Sequence, residues 1–283
     1  MITARTVDDL RRERATWLAV GERVALVPTM GNLHEGHLEL VREARQHADR
    51  VVVSIFVNPL QFGAGEDFAA YPKTEEADSE KLAAEGVDLI FLPEAGEIYS
   101  KPQSEQTRVE VPGISEILCG VSRPGHFIGV ATIVCKLLNM VQPDIAIFGE
   151  KDFQQLIVIR RMVDDLSMPV EIRGHVTVRE SDGLALSSRN GYLTAEERVC
   201  APALQRTLQD TAAALRSGER DYQRLEEEAM ARLEAMGFKR DYFQIRRRED
   251  LSLPLVDERA LVIVAAAYLG KARLIDNLQL LLE

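Results

Sequence analysis

Cysteine is scarce: Cys119, Cys135 and Cys200 form no close pair and leave one over. Such a set argues against a disulfide framework and for reduced thiols in a cytoplasm, with all three as small buried hydrophobes. No apolar run reaches the roughly 20 residues a helix needs to cross a bilayer. The longest, Ala260 to Leu269, is half that length. The opening segment MITARTVDDLRRER has no apolar core of a secretory signal. Internal repeats, low-complexity stretches and the CxxC or HExxH patterns of zinc sites are also missing. Basic residues are in deficit, 34 against 45 acidic, for a formal charge of −11. A surface so negative repels nucleic-acid backbones and anionic lipid heads, which disfavours both as partners. Any anionic ligand must then be held by a local positive pocket. What is present is a chain of 283 residues, 46% hydrophobic and 28% charged, the balance of a soluble globular protein of one large or two ordinary domains.

The first half alternates short apolar runs with helical patterns. Strands are expected at Arg23–Pro28, Val51–Val57, Val87–Leu92 and Asp144–Phe148, with helices at Glu35–Ala48 and Glu75–Glu85. Phe127, Val130, Val134, Leu137 and Val141 mark one buried helix face ending at Pro143. Leu156, Ile159, Val163 and Leu166 mark another. Strands that are apolar throughout and separated by helices imply a parallel sheet covered on both faces, with ligands beyond the carboxyl ends of the strands. After about Val178 the pattern changes to helical stretches at Ala195–Ser217 and Asp221–Met236, then strands at Tyr242–Arg246, Leu261–Tyr268 and Arg273–Leu280. That order suggests a smaller α+β domain, giving domains at 1–177 and 178–283, with a turn signal in the linker at Ser181-Asp182-Gly183.

Four clusters carry chemistry. Pro28-Thr29-Met30-Gly31-Asn32-Leu33-His34-Glu35-Gly36-His37 lies between a strand end and a helix start, where free N–H groups and the helix dipole favour an anion. His34 and His37, three apart, share a face and can donate to phosphate oxygens; helix capping is the competing reading, and zinc lacks a partner set. Ser187-Ser188-Arg189-Asn190 offers two hydroxyls and a guanidinium suited to a triphosphate, or is simply a polar loop. Phe148-Gly149-Glu150-Lys151-Asp152-Phe153-Gln154-Gln155 follows another strand. Lys151 supplies a point charge there, Asp152 can cap the helix or take a ribose hydroxyl, and Gln155 lies one turn on. Asn58-Pro59-Leu60-Gln61-Phe62 ends a strand, and Gln61 can hold a carboxylate or hydroxyl without adding charge, or be a turn amide. No cluster resembles a nucleophile–base pair.

Taken in order, PTMGNLHEGH, SIFVNPLQF, SRPGHF, QPDIAIFGEKDFQQL and DGLALSSRNGYL resemble the pantothenate synthetase family, closely from about Val24 to Leu193 and more loosely beyond, where ARLIDN also fits. The resemblance implies a Rossmann-like nucleotide-binding domain of the HxGH nucleotidylyltransferase superfamily with a smaller C-terminal lid, in a cytoplasmic homodimer. It implies a two-step ligation needing ATP with Mg2+, in which pantoate is adenylated and β-alanine then displaces AMP. It places Met30, Gly31, Asn32, Leu33, His34, Glu35, Gly36 and His37 at ATP, together with Gly149, Glu150, Lys151 and Asp152. Val178, Leu186, Ser187, Ser188 and Arg189 would close over the same nucleotide. Gln61 would hold pantoate and β-alanine, and Gln155 pantoate. His37 is the implied general acid, with His34 and Lys151 beside it as catalytic groups; no resident metal ligands are implied. Tyr71 and Arg123 are weaker pocket residues. Leu60 departs from the family's usual Met and preserves apolar volume. Arg246-Arg247-Arg248 has no implied role beyond a solvated or dimer-facing basic run. A one-step nucleotidylyltransferase, an RNA-charging enzyme and a non-catalytic interaction protein are the rival readings.

Overall fold

The computed structural model describes residues 1–63, 68 and 71–283. Its contacts gather into two compact units, residues 1–150 with 158–176 and residues 151–157 with 177–283.

The first unit contains strands β1 (Ile2–Ala4), β2 (Val24–Thr29), β3 (Arg50–Ile55), β4 (Leu89–Phe91), β5 (Ile145–Gly149) and β6 (Glu171–His175). Its helices are α1 (Val7–Ala19), α2 (Glu35–His47), α3 (Glu75–Ala84), α4 (Ala95–Ile98), α5 (Cys119–Ser122), α6 (His126–Val141) and most of α7 (Phe153–Asp165). The strands pair in parallel throughout, in the order β1-β4-β3-β2-β5-β6. Successive strand residues face opposite sides. Ala25, Val27, Val51, Val53, Ile90, Ile145 and Ile147 pack with Leu40, Val41 and Ala44 of α2 and with Leu82 of α3. Leu26, Val52, Leu89, Phe91 and Ala146, facing the other way, are buried as completely. That double burial is what a parallel sheet covered by crossover helices demands. The five apolar positions read as a stripe on α6 are all buried, and the helix ends on Gln142 in the left-handed region at φ 49 before Pro143.

The second unit contains α8 (Ala195–Cys200), α9 (Ala203–Arg216), α10 (Tyr222–Ala235) and an antiparallel sheet β7-β8-β9 formed by Lys239–Arg247, Ala260–Leu269 and Ala272–Leu281. Its core joins Leu204, Leu208 and Leu215 of α9, Leu225, Met230 and Leu233 of α10, and Phe243, Ile245, Leu261, Ile263 and Leu274 of the sheet. Leu269 pairs with Ala272, so a two-residue turn closes the hairpin, and Gly270 sits at φ 56 as such turns require. The expected Rossmann-like sheet and smaller α+β unit are both present. One helix differs: the stretch from Ala195 to Ser217 is broken at Ala201 and Pro202, because proline has no N–H to continue the ladder and fits only at a new helix start.

Half-buried Glu226 of α10 illustrates the cost of this packing. Burial pushes its carboxyl above the usual range, outweighing the Ile245 N–H that donates to it at 2.7 Å and the pull of Arg246. A carboxyl raised on folding opposes folding when ionised. The penalty is absent below the unfolded value of 4.5 and grows as pH rises through the folded value. Glu226→Gln is therefore expected to raise the urea midpoint at pH 7 and to lose that advantage by pH 4. A parallel set of urea melts at the two pH values checks this.

Candidate active site

In a parallel sheet every strand delivers its carboxyl end to one edge, and ligands gather where the strand order reverses. Here the reversal falls at β2, with β3 on one side and β5 on the other, through pairs such as Val27–Val53 and Leu26–Ala146. The loop Met30–Leu33 therefore leaves next to Gly149–Glu150.

The first loop turns sharply. Gly31 takes φ 81, and a Cβ there would crowd Ile55 and Asp78, so glycine is required on both counts. Asn32 follows at φ 51. Two successive left-handed residues carry the N–H groups of this turn away from any ladder: Gly31 N–H donates to Thr29 Oγ1 at 3.3 Å, and the buried carboxylate of Asp78 collects the next two. Asn32 N–H donates to Oδ2 and Leu33 N–H to Oδ1, both at 2.8 Å, and the Thr74 hydroxyl donates at 2.9 Å. Lys81 Nζ donates to the Leu33 carbonyl at 2.6 Å. The loop thus reaches α2 in one fixed path.

His34 is the residue before α2 and His37 lies in its first turn; their ring centroids are 4.0 Å apart, with the planes tilted by 35°. His34 N–H donates to His37 Nδ1 at 3.3 Å. An accepting Nδ1 places the proton of the neutral ring on Nε2, so His37 is a donor there. Glu35, by contrast, is exposed and engaged by Arg42. Gly36 is the second residue of α2. A Cβ on Gly149 would meet no protein atom, which leaves the end of β5 open to a ligand.

Gln61 ends a 3-10 turn, Pro59–Gln61, and its side chain is held at both atoms. Asn58 Nδ2 donates to Gln61 Oε1 at 3.1 Å, and Gln61 Nε2 donates to Met30 Sδ at 2.9 Å. Asn58, 1% exposed, also donates to the Gly129 carbonyl and accepts at Oδ1 from the Leu60 N–H and the Tyr99 hydroxyl. Burial holds that hydroxyl's pKa above the ordinary tyrosine value. On the backbone side, His126 Nδ1 lies 2.8 Å from the Gln61 carbonyl, while Arg123 meets its Nε2 at 3.0 Å. A guanidinium only donates, so Nε2 accepts and Nδ1 carries the proton given to Gln61. Arg123 thereby acts on Gln61 through His126, and also donates to the same carbonyl directly at 3.4 Å. Tyr71 lies edge-on to Phe62, just beyond the turn. The bond network adds Asp78, Asn58, Tyr99 and His126, which the sequence reading did not single out.

The remaining residues belong to the second unit. Lys151 and Ser187 line one small, water-sized cavity with Leu184, Ala185, Asn190 and Asp276. Leu186 N–H donates to the Val178 carbonyl at 3.0 Å, tying these two positions together. Ser187 Oγ accepts from the Arg189 N–H at 3.3 Å, which starts the 3-10 turn Ser188–Tyr192. Asp152 is exposed immediately ahead of α7, and Gln155 is half-buried in that helix's first turn. Among the described residues, no group of three or more His, Cys, Asp or Glu could hold a metal ion, and no helix is long and apolar enough to cross a membrane.

Residues 2–279 match the sequence profile of the family described as pantoate-beta-alanine ligase. A pantothenate synthetase of Shewanella oneidensis is 58% identical over 99% of both chains, and one of Pseudomonas putida 59% identical over 100% of this chain and 99% of its own. The chain belongs to the pantoate–β-alanine ligase family. A crystal structure of the Thermus thermophilus pantothenate synthetase superposes with a TM-score of 0.90 at 48% identity, covering 99% of each chain. That of the Francisella tularensis ligase, complexed with β-γ ATP and β-alanine, gives 0.83 at 35% identity over 99% of this chain and 97% of its own. The family membership sets aside the one-step transferase, the RNA-charging enzyme and the non-catalytic protein as readings of this ligase.

Two substitutions test the scaffolding of the first-unit loops. Both oxygens of Asp78 accept from a backbone N–H, so Asp78→Asn forces an amide NH2 against one of them; it is expected to cost about 1–3 kcal/mol in urea unfolding. An unchanged midpoint would show that the carboxylate does not hold the loop. A Cβ on Gly129 would lie 2.3 Å from the Leu60 carbonyl oxygen. Gly129→Ala should therefore cost about 1–3 kcal/mol by overcrowding, and a crystal structure should show the Pro59–Gln61 turn displaced.

Proposed function

We propose that this ligase joins (R)-pantoate to β-alanine through a pantoyl adenylate, using ATP as its magnesium complex. In the first step a pantoate carboxylate oxygen attacks the α-phosphorus. The bond to the pyrophosphate oxygen breaks, and pyrophosphate leaves with that electron pair. In the second step the β-alanine amine attacks the acyl carbon, the acyl–phosphate bond breaks, AMP departs and the amine gives up a proton. Neither step needs a protein nucleophile; both need two anions brought together and oriented.

The observation that carries this reading is the His34–His37 pair at the start of α2, with the His34 N–H donating to His37 Nδ1 and so leaving the ring's own proton on Nε2. A donor aimed before the reaction begins stabilises the charge that builds on the α-phosphoryl oxygens without reorganising. Met30 to His37 are assigned to ATP, together with Gly149, Glu150, Lys151 and Asp152. Val178, Leu186, Ser187, Ser188 and Arg189 are assigned to the same nucleotide, with Lys151 and Arg189 as its cations. Gln61, held at Oε1 by Asn58, is assigned to pantoate and β-alanine, and Gln155 to pantoate. In this reading Mg2+ enters on the ATP phosphates, the usual manner for that ion. A cytoplasmic homodimer is part of the same proposal.

The test is AMP and pyrophosphate release from Mg-ATP and pantoate, with and without β-alanine. AMP appearing at matched rates only when both acids are present is the expected result. Pyrophosphate without β-alanine-dependent AMP would overturn the substrate assignment. His37→Ala and Lys151→Ala are each expected to lower single-turnover adenylation by about 10²–10³-fold in folded protein. Wild-type adenylation in either variant would remove that residue from the chemistry.

A further inference from the structure

The second unit's last strand carries a charge where its pattern calls for an apolar residue. Ala272, Leu274, Leu278 and Leu280 of β9 share one face and pack into the core, and Asp276 lies in the middle of that row. Its side chain is 3% exposed. Stability gives no reason for it, since a buried ion pair replaced by apolar residues of similar volume is often neutral or better. Its partner is Arg179, which meets both carboxylate oxygens at 2.6 and 2.9 Å.

Three connections radiate from the pair. Arg179 donates a further hydrogen bond to the Gly183 carbonyl at 3.1 Å, closing the turn that leads into Leu186–Arg189. The turn is a small hairpin, with Arg179 bridged to Ala185, Glu180 N–H on the Leu184 carbonyl, and Leu186 N–H on the Val178 carbonyl. On the other side, Asn277 N–H donates to Asp276 Oδ1 at 2.8 Å, while Asn277 Nδ2 donates to the Lys151 carbonyl at 3.0 Å. The pair therefore fixes the backbone of both segments whose side chains, Lys151 and Ser187, line the cavity of this unit. Asp276 lines it too, and the guanidinium neutralises a carboxylate that would otherwise stand uncompensated beside Lys151 and Ser187.

We infer that Arg179 and Asp276 are positioning residues for adenylation: they set Lys151 and the Leu186–Arg189 turn for the ATP phosphates and keep the cavity wall free of uncompensated negative charge. The inference rests on the proposed ligase reaction. It makes the pair matter to the step that uses ATP and not to the step that uses β-alanine. Arg179→Gln keeps a hydrogen-bond donor but leaves Asp276 bare, so the KM for ATP is expected to rise at least tenfold and single-turnover adenylation to slow. The same variant given synthetic pantoyl adenylate and β-alanine should form pantothenate at the wild-type rate. Arg179→Lys restores charge without the two-pronged geometry and should recover part of the ATP affinity.

Both variants are first compared with wild type by urea unfolding, so that Arg179→Lys serves if Arg179→Gln does not fold. A parallel fall in the two half-reactions, or an unchanged KM for ATP in folded variants, would overturn the inference while leaving the ligase reading in place. A wild-type protein that releases no AMP from ATP, pantoate and β-alanine would overturn both.

Discussion

The pairing of β2 with β5, through Ala25 with Ile145 and Leu26 with Ala146, is the constraint on which the first unit's chemistry depends. Because the strands are parallel, their carboxyl ends and the loops that follow must emerge together. Because the strand order reverses there, no crossover helix covers the gap between those loops. The near-complete burial of both strands makes the arrangement costly to shift. A one-residue slip of β2 would turn Ala25 and Val27 from the face that α2 packs against, exchanging them with Leu26. The register that satisfies the core is thus also the one that delivers Met30–His37 beside Gly149.

Delivering the loops does not hold them in shape. Gly31 and Asn32 adopt left-handed backbone, the turn Pro59–Gln61 is a single 3-10 turn, and the Arg179–Ala185 hairpin is two short arms. None of these satisfies the whole of its backbone through a ladder, and buried unpaired N–H or C=O groups cost too much to persist. Each loop is served by one buried polar side chain: Asp78 of α3 for the first, Asn58 immediately ahead of its own turn for the second, Asp276 through Arg179 for the third. The three also differ suitably in charge. Asp78 and Asp276 accept from several donors at once, as a carboxylate can, whereas Asn58 must both donate to a carbonyl and accept from a hydroxyl, which an amide does and a carboxylate cannot.

Much of this was legible in the sequence where a local pattern reflects a global requirement. Continuous apolar runs gave β2, β3, β4 and β5 because burial on both faces leaves no room for polar residues. The stripe Phe127 to Val141 gave α6 for a similar reason. Elements whose role breaks the pattern were missed. Strand β6 reads Glu-Ile-Arg-Gly-His because it is the edge of the sheet and only half-buried. Helix α1 buries Leu10, Arg14 and Trp17, and the arginine in the middle of that row, bonded to the Gln142 carbonyl at 3.1 Å, hides the apolar stripe. The chemistry-bearing segments were readable as strand-to-helix junctions rich in His, Gly, Lys and Ser. Their supports were not, since Asp78 looks like one more acid in Glu75-Glu76-Ala77-Asp78 and its contacts lie in a loop forty-five residues away.

The distribution of charge completes the physical picture. A chain with a formal charge of −11 that must handle anions cannot rely on its overall field, which opposes their approach. It must concentrate donors locally and keep its own carboxylates occupied. That is the pattern around the proposed ATP-binding segments. Asp78 is saturated by backbone and hydroxyl donors, Asp276 by a guanidinium, and Glu35 is engaged by Arg42. The donors assigned there in the proposal are largely neutral or fixed by backbone: His37 through Nε2 and the hydroxyls of Ser187 and Ser188. A neutral donor fits an adenylation transition state well, because it strengthens as charge builds on the phosphoryl oxygens without holding the ground-state anion equally tightly. A site made only of cations would bind ATP and pantoate at least as firmly before reaction as during it. The proposed assignment, one lysine, one arginine and a set of neutral donors, is of the kind that favours the reacting state over the bound one.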